Sequence, residues 1–181
     1  MDRNGKITLI VLAGIILVAA LITLWITRTP DVSSEATQLA PYETIVYTDI
    51  YGNPVSLQDT KPAVRVLNSW ATWCPFCVTE LADFETVATE YVNQGHDVEI
   101  VAINRGERSQ VVQAFLKTIP DLQNTRIFLD AGDDFYTSIS GFTMPETIVY
   151  NAAGEVVLHK RGPLTEAEIR GQIQVALESN L

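Results

Sequence analysis

Cysteine is scarce in this chain: two among 181 residues, at positions 74 and 77, so at most one intramolecular disulfide can form and a disulfide-stapled scaffold is excluded. Histidine is equally rare. His96 and His159 stand alone, neither at ligand spacing, and a four-ligand zinc site would have to be built from them and the two cysteines. Basic residues are few as well. Against 22 Asp and Glu there are 12 Lys and Arg, and from Asp31 onward the counts are 21 and 9. So acidic a segment lacks the clustered cations that grip a phosphate backbone, which argues against nucleic acid as a partner. There is no internal repeat and no low-complexity run.

Charge is missing altogether from one long stretch. From Ile7 to Ile26, 17 of 20 residues are apolar and none is charged. As a helix at about 1.5 Å per residue this block spans roughly 30 Å, the thickness of bilayer hydrocarbon. A cleaved leader has an apolar run of roughly 7–15 residues and a small-x-small site after it, and no convincing site of that kind follows Trp25. Residues 7–26 are therefore read as a retained transmembrane anchor in preference to a cleaved signal peptide. Arg3 and Lys6 precede the block, whereas Arg28 is soon followed by Asp31 and Glu35. The positive-inside bias puts residues 1–6 in the cytoplasm and the rest of the chain outside the cell membrane, as a single-pass protein. Residues 27–41 are polar, with Pro30 and Pro41 and no apolar period, and read as a flexible tether. Residues 42–181 make one domain of ordinary size.

Within that domain Val64 to Asn68 is a short β-rich run after Pro62 and reads as a buried strand. From Pro75 the pattern becomes helical, with Leu81, Phe84, Val87, Ala88, Tyr91 and Val92 on one face and Gly95 as its stop. A strand is expected at Val98 to Ile103. A helix capped by Ser109 follows, turning Val112, Phe115, Leu116 and Ile119 inward and ending at Pro120. Arg126 to Asp130 is the next strand and Asp133 to Ile139 a short helix. Glu146 to Asn151 and Val156 to His159 flank Ala153-Gly154 as a hairpin. Thr165 and Glu168 form the capping box of a last helix reaching Glu178. The order β-α-β-α-β-α-β-β-α calls for an α/β domain: a central mixed sheet with helices on both faces.

Trp73-Cys74-Pro75-Phe76-Cys77 sits where the first strand hands over to the first helix. A helix N-terminus lowers a thiol's pKa through its unpaired N–H groups and positive dipole end, and Cys74 is placed for that. Pro75 suits the first helical position, where its missing N–H costs nothing. Cys77 lies one turn deeper and can attack a mixed disulfide formed on Cys74, releasing the substrate. The alternatives are a structural disulfide, which would close too small a loop to remove much chain entropy, and half a zinc site.

The run Asn68-Ser69-Trp70-Ala71-Thr72-Trp73-Cys74-Pro75-Phe76-Cys77, then Glu80, Gly141-Phe142-Thr143-Met144-Pro145-Glu146-Thr147, Gly154 and Gly162-Pro163-Leu164 resembles the thioredoxin superfamily, and within it the membrane-anchored TlpA/ResA/DsbE-like thiol-disulfide oxidoreductases. The stretch from Asn104 to Pro145 looks like that branch's central insertion, and Asn68 stands where thioredoxin has a buried acid. The resemblance implies a thioredoxin fold and an enzyme with no cofactor beyond a redox-active Cys74–Cys77 disulfide, and no metal. Met144-Pro145 resembles the superfamily's cis-proline dipeptide, which faces the cysteines and pairs with an extended substrate. A trans proline opening an edge strand is the plainer reading of those two residues. Glu80 takes from the resemblance a role in thiol protonation, while the bare sequence makes it a first-turn acid favouring the helix dipole. Trp73 is expected to shield the cysteines from solvent and pack against substrate, and Pro75 and Phe76 to meet substrate beside it. Trp70 is read as core, His96 and His159 as structural, and Glu146 as either a charge on the site's rim or a solvent-facing side chain.

The expected partners are protein thiols or disulfides, apocytochrome c among them as in cytochrome c biogenesis, and a membrane protein that recharges the dithiol. The anchored branch is commonly reductive. A disulfide-forming oxidase of the same fold and a non-catalytic binding module are the rivals.

Overall fold

The computed structural model of the protein describes residues 14–23 and 41–180, and the chain divides into two units, Met1–Gln38 and Leu39–Leu181. In the first unit residues 14–23 form helix α1, solvent-exposed throughout. The Thr23 hydroxyl turns back onto the Ala19 and Ala20 carbonyls, each at 2.9 Å, which is how a hydroxyl satisfies itself within its own helix. Among the described residues no helix is long and apolar enough to cross a membrane. Residues 1–6, the remainder of the expected anchor and tether residues 27–40 lie outside the described residues.

The second unit is built on a seven-stranded mixed sheet in the order β2-β1-β5-β4-β3-β6-β7, with β1 at Tyr47–Thr48, β2 at Pro54–Val55, β3 at Val64–Trp70, β4 at Val98–Arg105, β5 at Thr125–Asp130, β6 at Glu146–Asn151 and β7 at Val156–Arg161. The three central strands β5, β4 and β3 run parallel, and β6 pairs antiparallel to β3 with Asn68 opposite Thr147. Strand alternation sends side chains to two faces. On one, Val64, Val66, Ile100 and Val149 pack beneath α2 (Pro75–Asn93) and α5 (Glu166–Glu178) through Phe84, Val87, Ile169 and Ile173, and α3 (Ser109–Leu116) adds Val112. On the other, Leu67, Val101, Ile103, Phe128, Ile148 and Tyr150 are covered by Phe135 of α4 (Asp134–Ser138) and by Tyr42 and Leu57 from two 3₁₀ turns, Pro41–Thr44 and Leu57–Asp59. This is the expected α/β order, a thioredoxin fold with helices on both faces.

Several local expectations need correction. Val92 is exposed rather than in the α2 stripe. Arg108, not Ser109, is the N-cap of α3, because the Ser109 hydroxyl is taken by the Ile50 carbonyl at 2.9 Å. That helix stops at Leu116, short of Pro120, where both the N–H and the hydroxyl of Thr118 draw in the Phe115 carbonyl. Pro41, placed in the tether by its sequence, opens a 3₁₀ turn, a position that suits its fixed φ. The hairpin β1-β2 is absent from the sequence reading, since two-residue strands carry no period. The α5 capping box, by contrast, forms with both of its bonds.

Candidate active site

The site begins where β3 ends. Cys74 is the N-cap of α2, in extended backbone, and Pro75 follows at the helix start. The Cys77 N–H donates to Cys74 Sγ at 3.2 Å, so one orphan donor of the first helical turn points at sulfur. The first turn of α2 holds no acidic side chain, which leaves the positive end of its dipole uncompensated from its own helix. Cys74 and Cys77 are joined in a disulfide, S–S 2.06 Å, with Cys77 fully buried and Cys74 nearly so. They pack with Trp70, Leu81, Val112 and the half-buried Met144. Trp73 and Phe76, on either side of Cys74-Pro75, are 65 % and 66 % exposed.

The turn before Cys74 is fixed from the side. Glu107 accepts from the Thr72 N–H at 2.8 Å and from its hydroxyl at 2.6 Å, and from Asn104 Nδ2 at 2.8 Å. No sequence signal marks Glu107: Asn104 is three residues away, but Thr72 lies 35 residues earlier and only the fold brings it close.

Glu80 lies in the second turn of α2, one helical turn beyond Cys77, and is buried. It is not the first-turn dipole acid of the plainer reading. Asn68 Nδ2 donates to Oε2 at 2.8 Å and the Leu164 N–H to Oε1 at 2.7 Å, while Asn68 also reaches Thr147 Oγ1 at 2.9 Å. Burial raises the Glu80 pKa to about 7 against these two donors, helped by the negative charges of Asp83 and Glu168. The strand that carries Asn68 supplies no acid, so the buried carboxyl arrives from the helix.

Across from the cysteines the Met144–Pro145 bond is cis, and the Pro145 carbonyl accepts from Gly162 N–H at 2.9 Å. Phe142, three residues earlier, is 84 % exposed and was not singled out by its sequence. Glu146 is neither a rim charge nor solvent-facing: it is fully buried. Its carboxylate accepts from the Phe142 and Thr143 N–H groups at 3.0 and 3.3 Å, shares a 2.6 Å hydrogen bond with His159 Nε2, and pairs with Arg161 at 3.3 Å. Burial pushes its pKa up, but the Phe142 N–H, His159 and the Thr143 N–H outweigh it and hold the group below the usual range. His159 thus has a structural partner that its strand-end position did not reveal. Among the described residues no group of three or more His, Cys, Asp or Glu is placed to hold a metal ion.

The Redoxin family profile matches residues 21–173. The thiol-disulfide oxidoreductase ResA of Bacillus subtilis is 32 % identical over 124 residues, 68 % of this chain and 67 % of that protein. The thiol:disulfide interchange protein HelX of Rhodobacter capsulatus is 28 % identical over 67 % of this chain and 64 % of its own length. The chain thus spans about two thirds of the curated relatives it matches. Among solved structures, that of StoA from Bacillus subtilis superimposes with a TM-score of 0.61 at 25 % identity, over 75 % of this chain and 99 % of StoA.

Proposed function

The chain belongs to the Redoxin family, as a thiol-disulfide oxidoreductase of the ResA, HelX and DsbE type, and from that premise we propose that it reduces disulfides in extracytoplasmic proteins through Cys74 and Cys77. The observation that carries this reading is Cys74 Sγ at the mouth of α2, within hydrogen-bond reach of the Cys77 N–H and already bonded to Cys77.

In the dithiol form the same N–H and the helix dipole favour the Cys74 thiolate. The thiolate attacks one sulfur of a substrate disulfide, the substrate's other sulfur leaves and takes a proton, and a mixed disulfide forms on Cys74. Cys77 then loses its proton and attacks Cys74 Sγ. The second substrate thiol leaves, and the Cys74–Cys77 disulfide is regenerated with two electrons passed to substrate. Glu80 accepts and returns the Cys77 proton, a task for which a carboxyl titrating at about 7 is suited. Met144 and Pro145 line the groove in which an extended substrate lies, and the exposed Trp73 and Phe76 flank its entry.

We place this domain outside the cell membrane, tethered by residues 7–26 with residues 1–6 in the cytoplasm. The apolar length and the Arg3 and Lys6 flank support that reading. Each turnover spends the two electrons of the Cys74–Cys77 dithiol, and we assign its recharging to a membrane redox protein. The substrate class is apocytochrome c, whose haem-attachment sites carry Cys-x-x-Cys-His. A synthetic peptide with an internal disulfide in that motif tests it. The dithiol protein is expected to reduce the peptide, the Cys74→Ser variant to fail, and acid-quenched thiol trapping in cells to find the pair mostly reduced. A pair found mostly as disulfide in cells sets the direction as oxidase.

A further inference from the structure

Arg105, at the end of β4, is partly buried, and each of its three guanidinium nitrogens meets another side chain. Nε donates to Asp133 Oδ1 at 2.7 Å and Nη2 to Asp133 Oδ2, a two-pronged pair. The guanidinium carbon lies 3.3 Å from the centroid of the Tyr136 ring, a stacked cation on an aromatic face. Nη1 donates to Met144 Sδ at 3.2 Å. The Tyr136 hydroxyl in turn donates to the Thr143 carbonyl at 3.1 Å, and a Cβ at Gly141 would come within 2.4 Å of the same ring.

The local sequence rules are broken to build this. Asp133 occupies the N-cap of α4, yet its carboxylate makes no capping bond and is given to Arg105. Its backbone sits in the left-handed region at φ 58°, which a non-glycine residue adopts at a cost. Such departures from local preference mark places held by a constraint from elsewhere. The group held here is Met144, an unbranched thioether with three rotatable bonds that no packing alone would fix. Met144 packs in the cluster that contains Cys74 and Cys77.

We propose that Arg105, set by Asp133 and Tyr136, is a positioning residue that fixes the Met144 side chain beside the cysteines while Tyr136 holds the preceding Thr143 carbonyl, so that the groove is preformed for a polypeptide disulfide. The proposal rests on the exchange reading above. It separates substrates by whether they have a chain to lay in the groove. A Cys-x-x-Cys-His peptide disulfide depends on Arg105, and hydroxyethyl disulfide does not.

The chain has two methionines, Met1 and Met144, so methyl-labelled methionine gives Met144 an isolated NMR signal. In the full protein, Arg105→Lys keeps the charge but cannot pair bidentately, stack and reach sulfur together. The expected results are a broadened or shifted Met144 methyl signal, KM for the peptide disulfide raised about five-fold with kcat held, and wild-type reduction of hydroxyethyl disulfide. Met144→Leu, which keeps volume but loses the acceptor sulfur, should raise KM similarly and add nothing in the double variant. An unmoved methyl signal, equal losses on both disulfides, or additive effects in the double variant overturn the proposal. Should Arg105→Lys not fold, Tyr136→Phe, which removes only the bond to Thr143, is expected to raise KM for the peptide alone, and no change in KM overturns it. A wild-type protein inactive on both disulfides refutes the exchange reading instead, and the Met144 signal still decides whether Arg105 orders that side chain.

Discussion

Asn68 on β3 and Glu80 on α2 meet across the packed interface of sheet and helix, the amide donating to the carboxyl at 2.8 Å while both are buried. Among the described residues neither has an ionic partner. The only other donor to the carboxyl among the described residues is a backbone N–H, that of Leu164, and burial therefore holds the Glu80 proton to about pH 7. A carboxyl of that kind exchanges its proton in the range where thiols do their chemistry, and it stands one turn of helix from Cys77.

This arrangement has a cost in stability that depends on pH. The unfolded chain releases the Glu80 proton near 4.5 and the folded protein near 7, so between these values the folded state binds more protons and stability falls as pH rises. The loss is complete above about pH 7 and is of the order of 3 kcal/mol. Glu80→Gln removes the titration. Denaturant unfolding from pH 4 to 9 with the disulfide intact should show a shallower decline for the variant and a gain over the parent at the alkaline end, and parallel curves would refute the buried acid.

Glu146 behaves in the opposite sense. Its pKa is held below the usual range, so its contribution to stability is present above the unfolded carboxyl's pKa and is lost as pH falls through the lower folded value. Glu146→Ala leaves the Phe142 and Thr143 N–H groups, His159 and Arg161 without their acceptor. Leaving these donors without an acceptor costs about 1–3 kcal/mol, less than for a buried ion pair because His159 and Arg161 are 31 % and 53 % exposed and reach water. Thermal unfolding at neutral pH measures this, and a change below 1 kcal/mol would show that the cluster is not coupled to folding.

Much of this site is legible in the sequence, and what is not has physical reasons. The handover from an apolar strand to Cys74-Pro75 locates the helix start, because N-cap and N1 chemistry are local. The α5 capping box and the Gly95 stop of α2, at φ 77°, are local too, and both appear. Glu146 could not be read correctly, since its four donors come from the preceding loop and from β7. Glu107, Arg105 and Asp133 likewise act on side chains brought together by the fold alone. Ser109 shows the converse: a good capping residue spends its hydroxyl on a carbonyl from a distant loop, that of Ile50.

The placement of the domain outside the membrane is checked in right-side-out spheroplasts. Added protease should remove the chain beyond Pro30, since Arg3 and Lys6 flank the apolar block on its other side. Protection matching that of a cytoplasmic marker contradicts the topology.

In the proposed exchange Cys74 is the attacking sulfur and Cys77 the one that releases it. The Cys77→Ser variant, expressed in its native cells and acid-quenched, measures this directly, because without the second thiol a mixed disulfide on Cys74 has no internal escape. Protein adducts are expected that are lost on reduction and whose mass-spectrometric linkage maps to Cys74, with none in the Cys74→Ser variant, where Cys77 is buried. Adducts linked through Cys77 in Cys74→Ser, and none on Cys74 in the reverse variant, would contradict it.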